Sequence, residues 1–177
     1  MAELWYTLHV RPHFEKCVEA HLEAKGYEVF LPTCASRHRW SDRIKTISSP
    51  LFPTYLFCRF DASSRFPVLV TPGVQNIVSI GRTPVPVDPQ EISNIRQVLA
   101  SELTTEPWPY LKTGETVSIK TGPLEGLTGC VIRQKSCARL IVSVTLLMLS
   151  FSVEIDRRWV TPFEADSSAL TVTPVGQ

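Results

Sequence analysis

The stretch Phe52–Phe60 (FPTYLFCRF) decides the fold of this 177-residue chain. Side chains alternate along an extended strand, so Leu56 and Cys58 point to one face. Tyr55 and Phe57 point to the opposite face. A strand that is apolar on both faces requires cover on both sides, or it leaves one face for a partner.

The segments that precede this strand predict a strand, a helix and another strand. Leu4–Val10 (LWYTLHV) is rich in aromatic and β-branched residues and is typical of a strand. Phe14, Val18 and Leu22 then recur every four residues, which predicts one apolar stripe of a helix. Gly26 is a suitable residue to end that helix. A short strand over residues 27–32 and a polar loop or extended hairpin over residues 33–49 follow.

The segments after it complete an α+β pattern. Residues 63–70 are a short helix candidate, and Val74–Ile80 (VQNIVSI) has strand character. Asp88 and Glu91 have capping-box spacing at the start of a further helix, with Ile92 and Ile95 on its apolar stripe. This order predicts an antiparallel sheet covered by helices.

Beyond residue 103 the sequence changes character. Thr104–Tyr110 (TTEPWPY) carries two prolines without periodicity and predicts a linker. Short apolar segments split by glycine turns follow, which predicts a small closed β-barrel. The predicted strands are Glu115–Lys120, Gly129–Lys135, Arg139–Thr145, Phe151–Asp156 and Trp159–Pro162.

The composition favours a folded cytoplasmic protein. Net charge is +1, so any contact with nucleic acid requires a local basic patch. The five cysteines are an odd number without a C-x-x-C pair, which fits a reducing compartment. The longest apolar-rich run, residues 140–153, is shorter than the roughly 20 residues of a membrane helix. We therefore expect no membrane association.

Six segments together resemble the NusG family. The first three resemble its N-terminal (NGN) domain and the last three resemble its KOW domain, in the family's own order. The segments are WYTLHVRPHFEKCVEAHL (5–22), PLFPTYLFCRF (50–60), TPGVQNIVSIG (71–81), GETVSIKTGPLEGLTGCV (114–131), RLIVSV (139–144) and SVEID (152–156). The segment PLFPTYLF (50–57) resembles that of specialised paralogues such as RfaH and the UpxY regulators.

This resemblance implies a domain organisation and a function. Residues 1–103 are expected to form the NGN domain, 104–111 the linker, 112–164 the KOW domain and 165–177 a loose tail. The NGN domain would dock on the clamp helices of RNA polymerase, bridge the cleft and suppress pausing. The KOW domain would recruit Rho or a small-subunit ribosomal protein. We expect a monomer that needs no cofactor.

The resemblance also implies docking residues. Phe52, Tyr55, Phe57 and Ile80 match the family's polymerase-binding pocket. The alternative is that all four are ordinary core residues, because aromatic side chains are usually buried. An exposed aromatic cluster is the usual composition of an interface hot spot.

Two basic segments are candidates for nucleic-acid binding. Arg37–Lys45 (RHRWSDRIK) combines phosphate-binding arginines with an aromatic ring on which a base can stack. Its candidate residues are Arg37, Arg39, Trp40 and Arg43. A second patch, which resembles the DNA-reading positions of RfaH-like paralogues, is Arg11, His13, Lys16 and His21. The alternative for both is a solvated charged surface, and Pro12 replaces a basic residue of that subgroup.

The segment after Thr145 departs from the family pattern. The housekeeping members carry phenylalanine, glycine and arginine there, whereas this chain has an apolar tip. The tip is a candidate partner site, or it is hidden against the first domain. Its residues are Leu146, Leu147, Met148 and Leu149.

Neither a metal site nor an active site is expected. His13, Cys17 and His21 share a helical face, but residues eight apart lie about 12 Å apart along the axis. Metal–ligand bonds are near 2 Å, so these three side chains cannot bind one ion. The sequence lacks H-E-x-x-H, P-loop and G-x-S-x-G signatures. Two alternatives remain: a KOW-type RNA- or ribosome-binding protein without polymerase binding, and an enzyme with an unrecognised site.

Overall fold

The computed structural model describes residues 3–39, 44–108, 115–133, 138–144, 147 and 149–162. The first domain contains β1 (Leu4–Val10), α1 (Glu15–Ala24), β2 (Glu28–Phe30), β3 (Thr33–Arg39), β4 (Ile44–Pro50), β5 (Tyr55–Phe60), α2 (Phe66–Leu69), β6 (Val74–Ile77), β7 (Ser79–Ile80), β8 (Thr83–Pro84) and α3 (Pro89–Ala100). The rest contains β9 (Thr105–Trp108), β10 (Glu115–Ile119), β11 (Thr128–Arg133), β12 (Ala138–Val144), β13 (Leu149–Ile155) and β14 (Val160–Pro162).

An antiparallel sheet with the order β2-β5-β1-β6 forms the first domain. Strand β5 lies inside it, between β2 and β1, with Tyr6 opposite Cys58 and Leu8 opposite Leu56. The predicted α+β class is therefore confirmed. The structure also resolves the alternative for residues 33–49, since β3 and β4 pair as a hairpin.

One face of this sheet is covered by α1. Leu56, Cys58 and Phe60 of β5 pack in one buried cluster with Val18 and Leu22 of α1. The predicted apolar stripe of α1 is right at those two helix positions and wrong at its start, residue 14.

The helix begins at Glu15, one residue later than that stripe requires. The core-facing row is therefore Glu15, Val18 and Leu22, while Phe14 is 42% exposed. Gly26 follows the end of α1 with a positive φ of 86°, as expected of a glycine after a helix.

The other face belongs to a cluster that includes both domains. The first domain contributes Trp5, Leu51, Phe52, Phe57, Val87, Ile92, Ile95 and Val98. The second contributes Val117, Ile119, Leu124, Leu140, Val142, Phe151 and Val153. Helix α3 lies beside β12, and β3 lies beside β9. The second domain thus packs directly on the first.

The second sheet has the order β14-β10-β11-β12-β13-β9. All five predicted strands are present, with ends shifted by one or two residues. The segment predicted as a linker contains a sixth strand, β9, which pairs with β13 and places Pro107 opposite Phe151. A proline is tolerated there because β9 is an end strand of the sheet. Closure of the barrel stays a prediction.

A glycine sets the packing of one turn in the second sheet. Gly122 has a φ of +93°, and a Cβ added to it would lie 2.9 Å from Trp159 Cε2. Only glycine fits both the backbone angle and this close ring.

The start of α3 confirms the predicted cap. The Gln90 N–H donates to Asp88 Oδ1 at 2.8 Å. Among the residues that the structure describes, the helices are all too short or too polar to cross a membrane.

Replacing two buried threonines by valine should change the free energy of unfolding in opposite directions. The Thr7 hydroxyl is buried and, among the described residues, has no hydrogen-bond partner. Thr71 Oγ1 instead donates to Pro67 O at 2.9 Å and accepts from Lys25 Nζ at 2.7 Å. We expect Thr7→Val to raise the free energy of unfolding by about 1 kcal/mol, because it removes an unpaired buried hydroxyl. The matched control Thr71→Val should lower it by about 1–3 kcal/mol.

Denaturant unfolding of both variants and the wild-type protein measures these differences. A destabilisation of Thr7→Val similar to that of Thr71→Val would contradict the assignment of an unpaired hydroxyl at position 7.

Candidate functional site

The aromatic residues around β5 are the first part of the candidate site. The sequence predicts an open aromatic surface here, and the structure corrects this for two of the four residues. Phe52 is 2% exposed and Phe57 is fully buried. Tyr55 is half-buried, and Ile80 is 73% exposed. The rings are therefore covered to different extents.

A chain of ring contacts explains why Phe52 and Phe57 are buried. Phe57 stacks on Phe30 of β2 at a centroid distance of 6.1 Å. Its other neighbour is Phe52, at 6.3 Å edge to face. Phe52 in turn contacts Phe151 of β13 at 6.0 Å. Part of the cover of this surface is therefore supplied by the second domain.

Tyr55 and Ile80 are the more exposed of the four residues. The Tyr55 ring lies 5.2 Å from that of His9, its partner across β1 and β5. Ile80 belongs to the separate two-stranded hairpin β7–β8, where it pairs with Thr83. The structure thus brings Phe52, Tyr55 and Phe57 together and places Ile80 on another element.

An arginine on α3 borders the ring chain. The Arg96 guanidinium lies 5.1 Å from the centroid of the Trp5 ring and 5.0 Å from that of Phe30. It also pairs with Glu28 at 3.1 Å, and Arg59 pairs with the same carboxylate at 3.3 Å. These side chains are nearly half exposed, so the ion pairs contribute little by charge alone. Their geometry holds α3 against β2.

The domain interface also contains polar bonds from α3. Gln97 Nε2 donates to the carbonyl oxygens of Pro123 at 3.3 Å and Glu125 at 3.0 Å. Both acceptors lie in the turn between β10 and β11. One glutamine side chain therefore bridges the two domains.

The predicted nucleic-acid residues fall into two groups. Arg11, His13, Lys16 and His21 are all exposed, at the end of β1 and along α1. Arg37 and Arg39 lie in β3, opposite Thr46 and Ile44 of β4. Trp40 and Arg43 lie outside the described residues. The basic hairpin is thus present, and the position of its tip stays a prediction.

The apolar tip after Thr145 is described in part. Leu147 and Leu149 are partly buried and pack against the cluster that includes both domains. Leu146 and Met148 lie outside the described residues. The two described leucines therefore support the alternative that the tip is covered within the molecule.

The cysteine and histidine side chains of the described residues form no metal-binding group, and the buried Cys58 is not a reactive thiol. Cys17 Sγ lies 3.6 Å from His21 Nδ1 on the exposed face of α1. Within the described part of the chain, no three histidine, cysteine or acidic side chains are grouped closely enough to bind a metal ion. Burial raises the pKa of the Cys58 thiol to about 12, which keeps it protonated and unreactive.

Three residues of this region are absent from the sequence-based prediction. No local pattern in the sequence indicates the contacts of Arg96 and Gln97, because their hydrogen-bond partners are remote in sequence. Helix α1 places Glu15 on its buried row with Val18 and Leu22, and Glu15 is only 6% exposed there. An acidic residue on a core-facing row was the available signal.

A family model and a curated relative that match this chain both carry the name NusG. The family model described as "Transcription termination factor nusG" matches residues 3–96. The transcription termination/antitermination protein NusG of Thermus thermophilus is 27% identical over 173 residues, which is 86% of this chain and 94% of that protein.

Two solved structures are similar to this chain to different degrees. The structure described as "Domain interaction in Thermotoga maritima NusG" has a TM-score of 0.57 and 22% identity, and covers 92% of this chain and 98% of its own. This likeness shows a shared fold. A chain of the MjSpt4:Spt5 complex matches with a TM-score of only 0.30 and 15% identity, over 90% of this chain and 98% of its own, and carries no argument.

The Glu28 carboxyl provides a test of the α3 contact. The hydrogen bond from Arg96 is the main cause that holds the pKa of Glu28 below its ordinary 4.5, and Arg59 contributes less. A lowered pKa in the folded state stabilises the protein above pH 4.5, and this contribution is lost as pH falls through the folded value. We expect Arg96→Ala to raise the Glu28 pKa more than Arg59→Ala does.

Titration of the Glu28 side-chain carbon by NMR measures both shifts. Equal shifts in the two variants, or none in Arg96→Ala, would contradict the assigned cause.

Proposed function

This chain belongs to the NusG family of transcription termination and antitermination factors, and we propose that it binds RNA polymerase through its first domain. In this proposal the first domain bridges the polymerase clamp across the cleft and suppresses pausing. The protein acts in the cytoplasm, by binding and without catalysis. The second domain recruits a further partner of the transcription machinery.

The observation that carries the proposal is the aromatic strand β5 with its turn. It lies inside the family-matched residues 3–96 and combines a half-buried tyrosine with two buried phenylalanines. Aromatic side chains that pair a large apolar area with partial exposure are typical of interface hot spots. We propose Phe52, Tyr55 and Phe57 as docking residues, with the exposed Ile80 as a separate contact.

Docking by Phe52 requires that its cover be removed. Phe151 of the second domain lies against it, and Gln97 forms hydrogen bonds between the two domains. The polymerase would therefore replace the second domain on this surface. Binding and domain separation are coupled, because both use the same ring.

The basic residues support a contact with nucleic acid beside the docked polymerase. Arg11, His13, Lys16 and His21 are exposed, and the hairpin β3–β4 carries further arginines. We propose that these residues pair with phosphates of the non-template strand, as counterion release favours.

The second domain carries the other proposed contact. We propose Leu146, Leu147, Met148 and Leu149 as a partner-binding tip that becomes available when the domains separate, with Rho or a small-subunit ribosomal protein as the partner. A KOW-type ribosome-binding protein without polymerase binding, the alternative, would leave the matched residues 3–96 without a role.

Tyr55→Asp tests the docking surface. A charge at the centre of an apolar interface should weaken binding to core RNA polymerase by about 30-fold or more, the usual effect at a hot spot. The matched control is Tyr27→Asp, since Tyr27 is also partly buried but packs in the α1 cluster on the opposite face of the sheet.

Co-sedimentation with core polymerase measures binding, and thermal unfolding checks the fold of each variant. Full binding by Tyr55→Asp would remove the proposed surface. Loss of cooperative unfolding in Tyr55→Asp would instead favour the core interpretation of this residue.

Gln97→Ala tests whether the second domain competes with the polymerase. Removing two neutral hydrogen bonds should weaken domain packing by about 1–2 kcal/mol, which raises the fraction of open protein. We expect polymerase binding to become about 5- to 30-fold tighter. The control is Gln90→Ala, because the Gln90 side chain bonds only Asn94 of the same helix among the contacts described.

Titration of labelled protein with core polymerase gives both affinities. Unchanged affinity of Gln97→Ala would contradict competition between the second domain and polymerase.

A further inference from the structure

The turn that leads into β5 has an unusual backbone. The Tyr55 N–H donates to Phe52 O at 3.1 Å, which closes a four-residue turn with Pro53 and Thr54 in the middle. Thr54 has a φ of +68°. Proline in the second place and a positive φ in the third are the features of a type II turn. That third place normally requires glycine or asparagine.

Threonine is poorly suited to this conformation. A β-branched residue with a positive φ is a genuine outlier, because its side chain crowds the backbone. Such strain persists only where the surroundings hold the residue in place, and it is concentrated at functional sites. The turn joins Phe52 and Tyr55, two of the proposed docking residues.

Two hydrogen bonds hold the Thr54 backbone, one from α1 and one from β1. The Thr54 N–H donates to Glu15 Oε1 at 3.0 Å, and the Thr54 carbonyl accepts from the Val10 N–H at 2.8 Å. Glu15 is 6% exposed, so its carboxylate is largely removed from water. A hydrogen bond to a charged acceptor in such a place is stronger than one between neutral groups.

We infer that Glu15 is a positioning residue for polymerase docking: its carboxylate holds the strained Thr54 turn and thereby fixes Phe52 and Tyr55. The inference rests on the proposed function and deepens it. Glu15 does not contact the polymerase in this mechanism. It acts through Thr54, from the face of the sheet that the second domain leaves uncovered.

The strain itself supplies the test. If Glu15 acts by holding a left-handed Thr54, a residue that adopts this conformation freely makes Glu15 dispensable. Glycine is that residue. The two positions should therefore show strong coupling in a double-mutant cycle.

Four variants of the full chain complete the experiment: Glu15→Ala, Thr54→Gly, the double variant, and Glu23→Ala. Glu23 is an exposed glutamate on the same helix and controls for loss of charge. We expect Glu15→Ala to bind core polymerase about tenfold more weakly, as loss of one charge-assisted bond gives. The double variant should return to within about threefold of wild type, and Glu23→Ala should not change.

A second measurement is independent of polymerase. The contact between the Tyr55 and His9 rings, at 5.2 Å between centroids, is visible as a nuclear Overhauser effect. It should weaken in Glu15→Ala and return in the double variant.

The outcomes separate the two ideas. A ring contact that persists in Glu15→Ala overturns the positioning role, whatever the polymerase binds. Failure of Thr54→Gly to rescue also overturns it and leaves a general structural role for Glu15. A lost ring contact with unchanged polymerase binding overturns the docking role of Tyr55 instead. Absence of polymerase binding by the wild-type chain overturns the proposed function, and the ring contact then decides by itself whether Glu15 positions Tyr55.

Discussion

Strand β5 is apolar on both faces, and most of the architecture follows from the need to cover both. On one face, Leu56, Cys58 and Phe60 are covered by α1 within the first domain. On the other, Phe57 lies in a cluster that includes the second domain. Burial of one large apolar side chain stabilises the protein by about 1.5–3 kcal/mol. Exposing that second face to water is therefore unfavourable, whereas replacing one cover by another costs little.

The connection between the domains favours this exchange of covers. Strand β9 pairs with β13, which leaves only residues 101–104 between α3 and the second sheet. Such a short tether keeps the second domain at high effective concentration beside the ring surface. The interface combines a buried apolar cluster, which includes the contact between the Phe52 and Phe151 rings, with the two hydrogen bonds of the Gln97 amide. A short tether allows the second domain to return to this surface readily after a partner has replaced it.

Local patterns in the sequence predicted β5, both of its faces, the cap at Asp88 and the five strands of the second sheet. They did not predict that the second domain covers one face of β5. Phe52 and Phe151 are remote in sequence, and no periodicity relates them. The strand at Thr105–Trp108 was missed since its proline signals a linker unless the segment is known to lie at a sheet edge. The assignment to an RfaH-like subgroup and the role of the hairpin tip stay predictions.

A surface whose cover changes must keep its shape while uncovered. The rings at the end of β5 cannot rely on the second domain for this, since that domain is the part proposed to leave. Their support has to come from the opposite face, where α1 packs on the sheet within the first domain. Glu15 of α1 meets this requirement, because its carboxylate accepts a hydrogen bond from the Thr54 N–H. A strained residue held from the permanent side of the sheet is thus consistent with a docking surface that is preorganised before its partner arrives.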